Sequence, residues 1–285
     1  MDRLNYTQQI KKIIEKIKEA DAILIGASNG FSICEGLHLF AGNQAFQELF
    51  PDFIEKYRFR NILDGCFFQY PTEEEKWTYW SRLIWHYSGN YKGSAVMDSV
   101  KTIIKDKPYF IVTSNGEGHF SLAGLESERI YEIEGNWFSM QCAHRCHDTL
   151  YPSMDMIKKM ATAQKNGGIT SEIVPKCPVC GENMQINLAL DNSFIPDFEG
   201  PKRFQSFIKQ YHGKSLLVLE LGIGWRNQLI KPTLMNIVNQ EPNATYVTVN
   251  KGEIYITDEI ADKSFGLDGD MKEILTLLKE KMTNI

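Results

Sequence analysis

Short, continuously apolar runs alternate along this chain with segments whose apolar residues recur at helical spacing. The apolar runs cover residues 22–25, 109–113, 130–133, 215–221 and 244–249. Runs of this kind are typical of parallel strands that are buried on both faces. Each run is followed within two residues by glycine or a small polar residue. The carboxyl ends of the strands are therefore expected along one rim, where open α/β sheets bind ligands.

The intervening segments predict amphipathic helices. Residues 6–20 place four isoleucines on one face. A second helix is predicted to begin near Thr72, which can cap its first turn, while Glu75 can close a capping box. Its tryptophans, Trp77 and Trp80, fit either a buried aromatic core or a wall that lines a ligand. Further helices are predicted over residues 154–165, from about 232 onward, and from about 268 to 281.

Together these elements predict an α/β fold: a Rossmann-like, mostly parallel sheet with an inserted small zinc-binding module and a helical insert. The sheet domain is predicted to comprise residues 1–135 and 196–285, with the helical insert at about 35–95. Residues 136–195 are predicted to form a small zinc-ribbon module. With 285 residues, 43% of them hydrophobic, the chain can bury the core of one large or two small domains.

Composition narrows the range of partners. The formal net charge is -5 and no basic block stands out, so nucleic acid is not expected as a partner. No stretch approaches the roughly 20 apolar residues of a membrane span, and residues 1–19 lack the apolar core of a signal peptide. We therefore expect a cytoplasmic protein in a reducing compartment, without a membrane partner.

Four of the six cysteines form two tight pairs, which are the strongest local signal of chemistry. Three residues separate Cys142 from Cys146, and two separate Cys177 from Cys180. Four thiolates paired in this way suit a closed tetrahedral Zn²⁺ site, and a closed shell makes the zinc structural. The first pair and the gap between the pairs are longer than in common zinc ribbons. Buried or redox-active thiols are the alternative interpretation.

Three polar segments at strand ends are candidates for a nucleotide site. The first follows the strand at residues 22–25 and can present backbone N–H groups to a pyrophosphate. It lacks the standard GxGxxG pattern, and an ordinary tight turn explains it equally well. Its candidate cofactor-binding residues are Gly26, Ala27, Ser28, Asn29 and Ser32.

The second segment follows the strand at residues 109–113 and contains Ser114, Asn115 and Glu117. Asn115 can hold a ribose hydroxyl or a carboxamide, and Glu117 can orient it or bind the nicotinamide amide. An Asx turn with a solvated glutamate is the alternative. His119 follows directly, although a single histidine is more often a packed or surface residue than a ligand.

The third segment combines the ends of the last two strands. Gly222, Gly224 and Trp225 follow residues 215–221, and Asn250 follows residues 244–249. The glycines permit close approach of an adenosine, and Asn250 can bind a ribose. Ordinary turn chemistry is the alternative explanation for this segment.

Taken in order, these segments resemble those of the sirtuins, which use NAD as a co-substrate. Residues 26–32 are similar to their opening NAD loop, and residues 113–118 to their Thr-Gln-Asn-(Ile/Val)-Asp-Gly motif. Residues 221–225 resemble the later Gly-Thr-Ser segment, and residues 249–250 the (Ile/Val)-Asn strand end. Phe265 lies in a segment similar to the closing Gly-Asp-Ala helix start, so the resemblance adds it to the cofactor-binding residues. The four cysteines match the family's structural zinc module.

Within this family the chain looks most like the class M branch, which resembles protein ADP-ribosyltransferases more than deacylases. The similarity lies in residues 75–82, in 141–147 and in 219–222. The known acceptor of that branch is a lipoylated carrier protein of the glycine-cleavage type, with a macrodomain partner that reverses the mark. The resemblance therefore implies cleavage of the nicotinamide–ribose bond of NAD and transfer of ADP-ribose to a protein acceptor.

Glu134 is the departure that bears most on mechanism. It stands where sirtuins have their catalytic histidine, and Glu117 stands where they have an aspartate. We predict Asn115, Glu117 and Glu134 to be catalytic, with Glu134 as a general base or as a stabiliser of the ribosyl cation. One alternative is an NAD-dependent lysine deacylase in which Glu134 does the work of the histidine. Another is an NAD-binding sensor or scaffold without turnover.

Overall fold

The computed structural model describes residues 3–283, and its central feature is a six-stranded parallel sheet. The described strands are β1 (Ala22–Ala27), β2 (Tyr109–Thr113), β3 (Ile130–Glu132), β4 (Gly135–Cys142), β5 (Tyr151–Pro152), β6 (Met184–Leu188), β7 (Leu216–Leu221), β8 (Thr245–Asn250) and β9 (Ser264–Asp268). The sheet has the order β3-β2-β1-β7-β8-β9, and every neighbouring pair is parallel. The predicted Rossmann-like α/β fold is confirmed.

Helices cover both faces of this sheet and build a second layer beside it. Those described are α1 (Arg3–Glu19), α2 (Asn29–Cys34), α3 (Gln44–Leu49), α4 (Pro51–Tyr57), α5 (Ile62–Cys66), α6 (Glu73–Ile84), α7 (Ala95–Ile103), α8 (His119–Leu122), α9 (Met154–Lys165), α10 (Gly200–Gln210), α11 (Lys231–Gln240) and α12 (Met271–Thr283). Helix α6 continues directly into a π-helical turn over Trp85–Gly89. No helix within these bounds is both long and apolar enough to cross a bilayer.

The strands are apolar throughout because both of their faces are covered. Successive side chains of a strand point to opposite faces. In β1, Ile23 and Ile25 face a core that α1, α7 and α12 complete, whereas Leu24 faces a core that α10 and α11 complete. The sequence pattern therefore located β1, β2, β3, β7 and β8 correctly. It does not indicate β9, which contains only two apolar residues and a glycine.

The cysteine segment forms a separate antiparallel sheet with the strand order β5-β4-β6. Its apolar residues, including Trp137 and Met184, pack against those of α3 to α6 and α9, among them Phe53, Tyr79 and Ile157. These elements form the second layer of the molecule, and their shared core is the second apolar cluster. The helical segment predicted at about residues 35–95 thus shares a core with the cysteine segment. The predicted domain boundaries themselves stay a prediction.

The start of α6 confirms half of the predicted capping box. The hydroxyl of Thr72 accepts a hydrogen bond from the backbone N–H of Glu75 at 3.2 Å. The Glu75 carboxylate does not return this bond, because it instead binds Lys56 and the hydroxyl of Tyr57. The sequence prediction was wrong for that half. The carboxylate connects α6 to α4, so a tertiary contact replaced a local one.

Candidate active site

The predicted polar segments meet at one edge of the parallel sheet. The strand register pairs Ala27 with both Thr113 and Leu221, so β1, β2 and β7 end side by side. A cleft of about 200 Å³ opens beyond this rim, between the strand ends and the second layer. Rim residues form one side of it, and apolar side chains form the other. The rim residues are Asn29, Ser114, Asn115, Gly116, Glu117 and Glu134; the apolar wall includes Leu39, Phe40, Phe67, Trp80, Trp137 and Leu190.

Asn115 is held rigidly and keeps one acceptor atom without a partner. Its backbone N–H donates to Oγ1 of Thr113 at 3.0 Å, and its side-chain Nδ2 donates to the carbonyl of Ser28 at 3.1 Å. The residue is 5% exposed. Its Oδ1 is buried and makes no hydrogen bond within the described structure. A buried oxygen of this kind is normally satisfied, so Asn115 is ready to accept a hydrogen bond from a ligand.

Hydroxyl and amide groups join the three rim segments across the front of the sheet. The hydroxyls of Ser28 and Ser114 lie 2.9 Å apart, which links the loops after β1 and β2. Asn227, in the loop after β7, donates from Nδ2 to the Ser28 hydroxyl at 3.2 Å. Asn227 was not among the site residues predicted from the sequence. Its only signal was a polar amide in the loop that also contains Gly224.

Two glycines let the loops after β1 and β7 touch backbone to backbone. The N–H of Gly30 donates to the carbonyl of Gly222 at 3.0 Å. A Cβ added to Gly30 would lie 2.6 Å from the Cα of Gly222, closer than real Cβ contacts. Gly222 itself has a φ of +63°, a left-handed conformation that favours glycine. This close approach positions Ser28 beside Asn227.

Glu117 has a buried carboxylate that faces the cleft. Its Oε1 accepts a hydrogen bond from the hydroxyl of Ser32 at 2.6 Å, and its backbone carbonyl accepts one from the hydroxyl of Ser88 at 2.8 Å. Burial raises the pKa of the Glu117 carboxyl, and the nearby charge of His119 and the Ser32 hydrogen bond offset this only in part. Ser88, which was also not predicted from the sequence, belongs to the π-helical turn.

Glu134 reaches the same cleft from the end of β3. Its carboxylate makes no hydrogen bond or ion pair with any described residue, and burial raises the pKa of the Glu134 carboxyl. Gly135 fixes its direction: this glycine has a φ of +81°, and an added Cβ would lie 2.2 Å from the carbonyl oxygen of Asn187. A half-buried carboxylate without a partner, with a pKa raised by burial, suits proton transfer to or from a ligand in the cleft.

Several predicted cofactor-binding residues lie outside the cleft. Gly26 is a packing residue, since a Cβ there would lie 2.3 Å from Leu234 in α11. Ala27 is buried in β1, and its carbonyl accepts the N–H of Ser114 at 3.3 Å. Phe265 is the second residue of β9 and packs against the sheet core three residues before the rim. The structure therefore does not bring Phe265 together with the other site residues.

The remaining predicted residues line the β7 and β8 end of the rim. Trp225 is 54% exposed in the loop after β7, and Gly224 accepts the N–H of Asn227 at 3.0 Å. The amide of Asn250 donates to the carbonyl of Glu253 at 3.0 Å and so orders the loop after β8. These groups stand further along the rim than the cleft that contains Asn115.

The four paired cysteines lie together at one end of the antiparallel sheet. Their sulfur atoms are all within 4.8 Å of one another, with Cys142–Cys180 and Cys146–Cys177 both at 3.6 Å. Zn–S bonds of about 2.3 Å place tetrahedral sulfurs roughly 3.8 Å apart, so the cluster fits zinc. Cys142 and Cys177 are buried in the second apolar cluster. A zinc ion held here would therefore connect β4 to the loop before β6.

Solved sirtuin structures share this architecture. A mutant of a Sir2 homologue in complex with ADP-ribose has a TM-score of 0.63 and 14% sequence identity, covering 100% of this chain and 97% of that one. Sir2 bound to a p53 peptide and NAD⁺ has a TM-score of 0.62 and 18% identity, covering 97% of this chain and 99% of that one. No protein-family model matches the chain.

Sequence comparison decides the family. A protein ADP-ribosyltransferase of Staphylococcus aureus (strain Mu50) is 32% identical over 278 residues, which are 95% of this chain and 87% of the relative. The chain belongs to the family of sirtuin-like protein ADP-ribosyltransferases. A probable bifunctional ADP-ribose hydrolase/ADP-ribosyltransferase of Fusarium oxysporum is 25% identical over 284 residues. This sirtuin-like chain spans about half (47%) of that fungal relative.

Proposed function

We propose that this sirtuin cleaves NAD and transfers its ADP-ribose to a protein acceptor. One observation carries the proposal: Asn115, Glu117 and Glu134 line a single cleft at the carboxyl rim of the sheet. The names of the relatives support it, since the staphylococcal protein is called a protein ADP-ribosyltransferase. Structural neighbours with NAD and a peptide support NAD as the donor and a protein as the acceptor.

The proposed roles follow from the chemistry of the bond that breaks. The bond between C1′ of the ribose and the nicotinamide nitrogen breaks, and nicotinamide leaves neutral while positive charge develops on the ribose. The unpartnered Oδ1 of Asn115 would accept a hydrogen bond from a ribose hydroxyl and so orient the sugar. Glu117 would bind the carboxamide and, with Glu134, place negative charge beside the developing cation.

Glu134 would complete the transfer. The nucleophile of the acceptor forms the new bond to C1′, and the proton that it loses passes to the Glu134 carboxylate. The raised pKa of Glu134 makes this carboxylate a stronger base than an ordinary surface glutamate. Its freedom from hydrogen bonds and ion pairs leaves both oxygens available to the acceptor.

The cofactor-binding part of the proposal uses the rest of the rim. Ser28, Asn29 and Ser114 would bind the ribose and phosphates nearest the cleft. The adenosine half would extend along the rim towards Asn250 and the loop of residues 222–225. Zinc held by the four cysteines is proposed to be structural, because four sulfur ligands leave no open coordination position.

The acceptor is proposed to approach along the apolar wall of the cleft. Phe40 and Phe67 are 51% and 62% exposed, and Leu190 stands beside them at 36%. An apolar surface of this kind suits the hydrocarbon part of a modified side chain. A lipoylated carrier protein, whose prosthetic arm is largely apolar, is the proposed acceptor.

Intact-mass spectrometry tests the proposed function. Incubation with NAD and a lipoylated carrier protein should add the mass of ADP-ribose to the carrier and release nicotinamide. The unlipoylated carrier is the matched control. O-acyl-ADP-ribose formed from an acylated peptide, without added mass on the carrier, would identify a deacylase instead. Binding of NAD without nicotinamide release would indicate a sensor.

A further inference from the structure

A buried polar cluster includes His119, two residues after Glu117, and none of its members lines the cleft itself. We call it the His119 cluster; it consists of Glu35, Tyr91, Ser94 and His119. The side chains of Glu35 and His119 are 0% and 2% exposed, and the Nδ1 of His119 lies 3.6 Å from the Glu35 Oε2. The Glu35 carboxylate accepts hydrogen bonds from Ser94 and, at 2.6 Å, from the Tyr91 hydroxyl. A buried polar network of this kind holds its side chains in one arrangement.

The surroundings of the imidazole define its protonation state. Its Nε2 lies 3.0 Å from the carbonyl oxygen of Tyr87, which can only accept, so Nε2 carries a hydrogen. If the ring were neutral, the lone pair of Nδ1 would then face the carboxylate of Glu35. A second hydrogen on Nδ1 makes both contacts favourable, and His119 is then an imidazolium. The ring also stacks on Tyr91, with centroids 4.1 Å apart.

Charges on both sides of the ring favour the same state. Burial alone would lower the pKa of His119, but Glu35, Glu117 and the Tyr87 carbonyl hold it above the usual value. Burial alone would raise the pKa of Glu35, but His119, Ser94 and Tyr91 hold it below the usual value. The 3.6 Å approach of these two buried side chains, with the Tyr87 carbonyl on the other ring nitrogen, is the geometry of an ion pair, and it lies two residues from Glu117 in the chain.

Among the described residues, charged or polar groups approach Glu117 from several elements. Helix α2 contributes the Ser32 hydroxyl. Glu35 follows the last residue of α2, and its negative charge raises the pKa of Glu117. Its own loop contributes His119, which lowers that pKa. Strand β3 contributes Glu132, whose pKa burial raises to about 8, with a smaller contribution from the charge of Glu117. Glu134 lines the same cleft. His119 is thus the cation within a group of carboxylates.

We propose that His119, held as a cation by Glu35, is a positioning residue that keeps Glu117 an ordered carboxylate at the nicotinamide end of the NAD cleft. This inference rests on the proposed function and deepens it. The cluster also connects the rim to the π-helical turn, because Tyr87 and Ser88 bind His119 and the backbone of Glu117 respectively. A residue outside the cleft would then control how well the enzyme distinguishes NAD from ADP-ribose.

The variant His119→Gln tests this role because glutamine can still donate to the Tyr87 carbonyl but has no charge. Without the cation, Glu117 should lose its proton only at higher pH. We expect kcat/KM for NAD to fall about tenfold at pH 6 and less than threefold at pH 8.5, since one pKa unit is a factor of ten. The KM of the protein acceptor should not change.

A double-mutant cycle separates charge control from simple structural support. In a Glu117→Gln background there is no carboxylate for His119 to hold, so His119→Gln should reduce activity by no more than about twofold further. A merely structural role predicts the same loss at every pH and in both backgrounds, which would overturn the proposal. His119→Asn, which is likewise uncharged, should shift the pH profile in the same direction and serves if His119→Gln does not fold.

His212→Gln is the matched control. His212 lies 3.0 Å from Glu241 near the starts of β7 and β8, at the opposite edge of the sheet from the cleft. This variant should keep the wild-type pH profile.

A binding measurement separates failure of this inference from failure of the proposed function. The probes are ADP-ribose and a carba-NAD, which is resistant to cleavage. His119→Gln should weaken binding of carba-NAD at pH 6 by about tenfold and leave binding of ADP-ribose unchanged. Equal loss for both probes would overturn the inference even in an active enzyme. A wild-type protein that releases no nicotinamide would overturn the proposed function alone, because the two probes still measure the role of His119.

Discussion

The hydroxyl of Ser32 donates a 2.6 Å hydrogen bond to the carboxylate of Glu117, and both side chains are buried. Ser32 belongs to α2 after β1, whereas Glu117 follows β2, so the bond joins two segments of the cofactor rim. A charged acceptor makes this bond stronger than a neutral one. Several properties of the enzyme should depend on it.

Ser32→Ala should weaken both the fold and catalysis. The substitution leaves the buried Glu117 carboxylate with one fewer donor, which should lower the free energy of unfolding by about 1–3 kcal/mol. The pKa of Glu117, already raised by burial, should rise further. Nicotinamide release at pH 6 should then fall more than release at pH 8. Chemical denaturation and the pH profile check both effects, and Ser127→Ala on the exposed surface should change neither.

Glu134→Gln should abolish most of the transfer without loss of stability. Loss of a general base typically reduces kcat by about 10²- to 10⁴-fold. Because folding raises the pKa of Glu134, its ionisation disfavours the folded state as pH rises through that pKa. The neutral variant should therefore have a Tm at neutral pH no lower than that of the wild type. A wild-type transfer rate in this variant at saturating NAD would exclude the proposed role.

Removal of zinc should unfold the second layer rather than inactivate a folded enzyme. Cys142 and Cys177 are buried in the apolar cluster that packs α6 against α9. Chelation should lower the Tm by roughly 10 °C or more, because metal binding contributes directly to folding. Cys177→Ser should show the same fall and lose bound zinc in elemental analysis. Cys34 is not one of the four paired cysteines, so Cys34→Ser should retain the metal. An apo-protein that keeps its Tm would contradict a structural zinc.

Gly30→Ala should separate the loops after β1 and β7. The new methyl group would lie 2.6 Å from the Cα of Gly222, and backbone atoms on that side cannot rotate away as a side chain can. The Ser28–Asn227 hydrogen bond depends on this approach, so we expect the Kd for ADP-ribose to rise at least tenfold. Calorimetry measures it. Gly213→Ala also strains a left-handed backbone, at a φ of +71°, but nothing lies within 4 Å of the added carbon, so this variant should lose stability and still bind ADP-ribose normally.

Local sequence determined those features whose cause is local. Strands buried on both faces must be apolar, so β1, β2 and β7 were readable from their composition. The two cysteine pairs needed only their spacing to indicate one metal site. The parallel order of strand ends also placed Asn115 and Glu134 on the same rim in advance, because carboxyl ends of parallel strands share one edge.

Tertiary structure alone decided which polar groups meet. Ser32 is 85 residues from Glu117 in the chain, and no periodicity relates two loops whose approach depends on strand order. The same is true of His119 and Glu35, whose ion pair forms because the end of α2 packs behind the β2 loop. Phe265 is the opposite case. Its sequence motif indicated a cofactor-binding residue, but its position in β9 directs the side chain towards the sheet core. Burial patterns are encoded locally, whereas the contacts that shift a pKa depend on how distant segments cross.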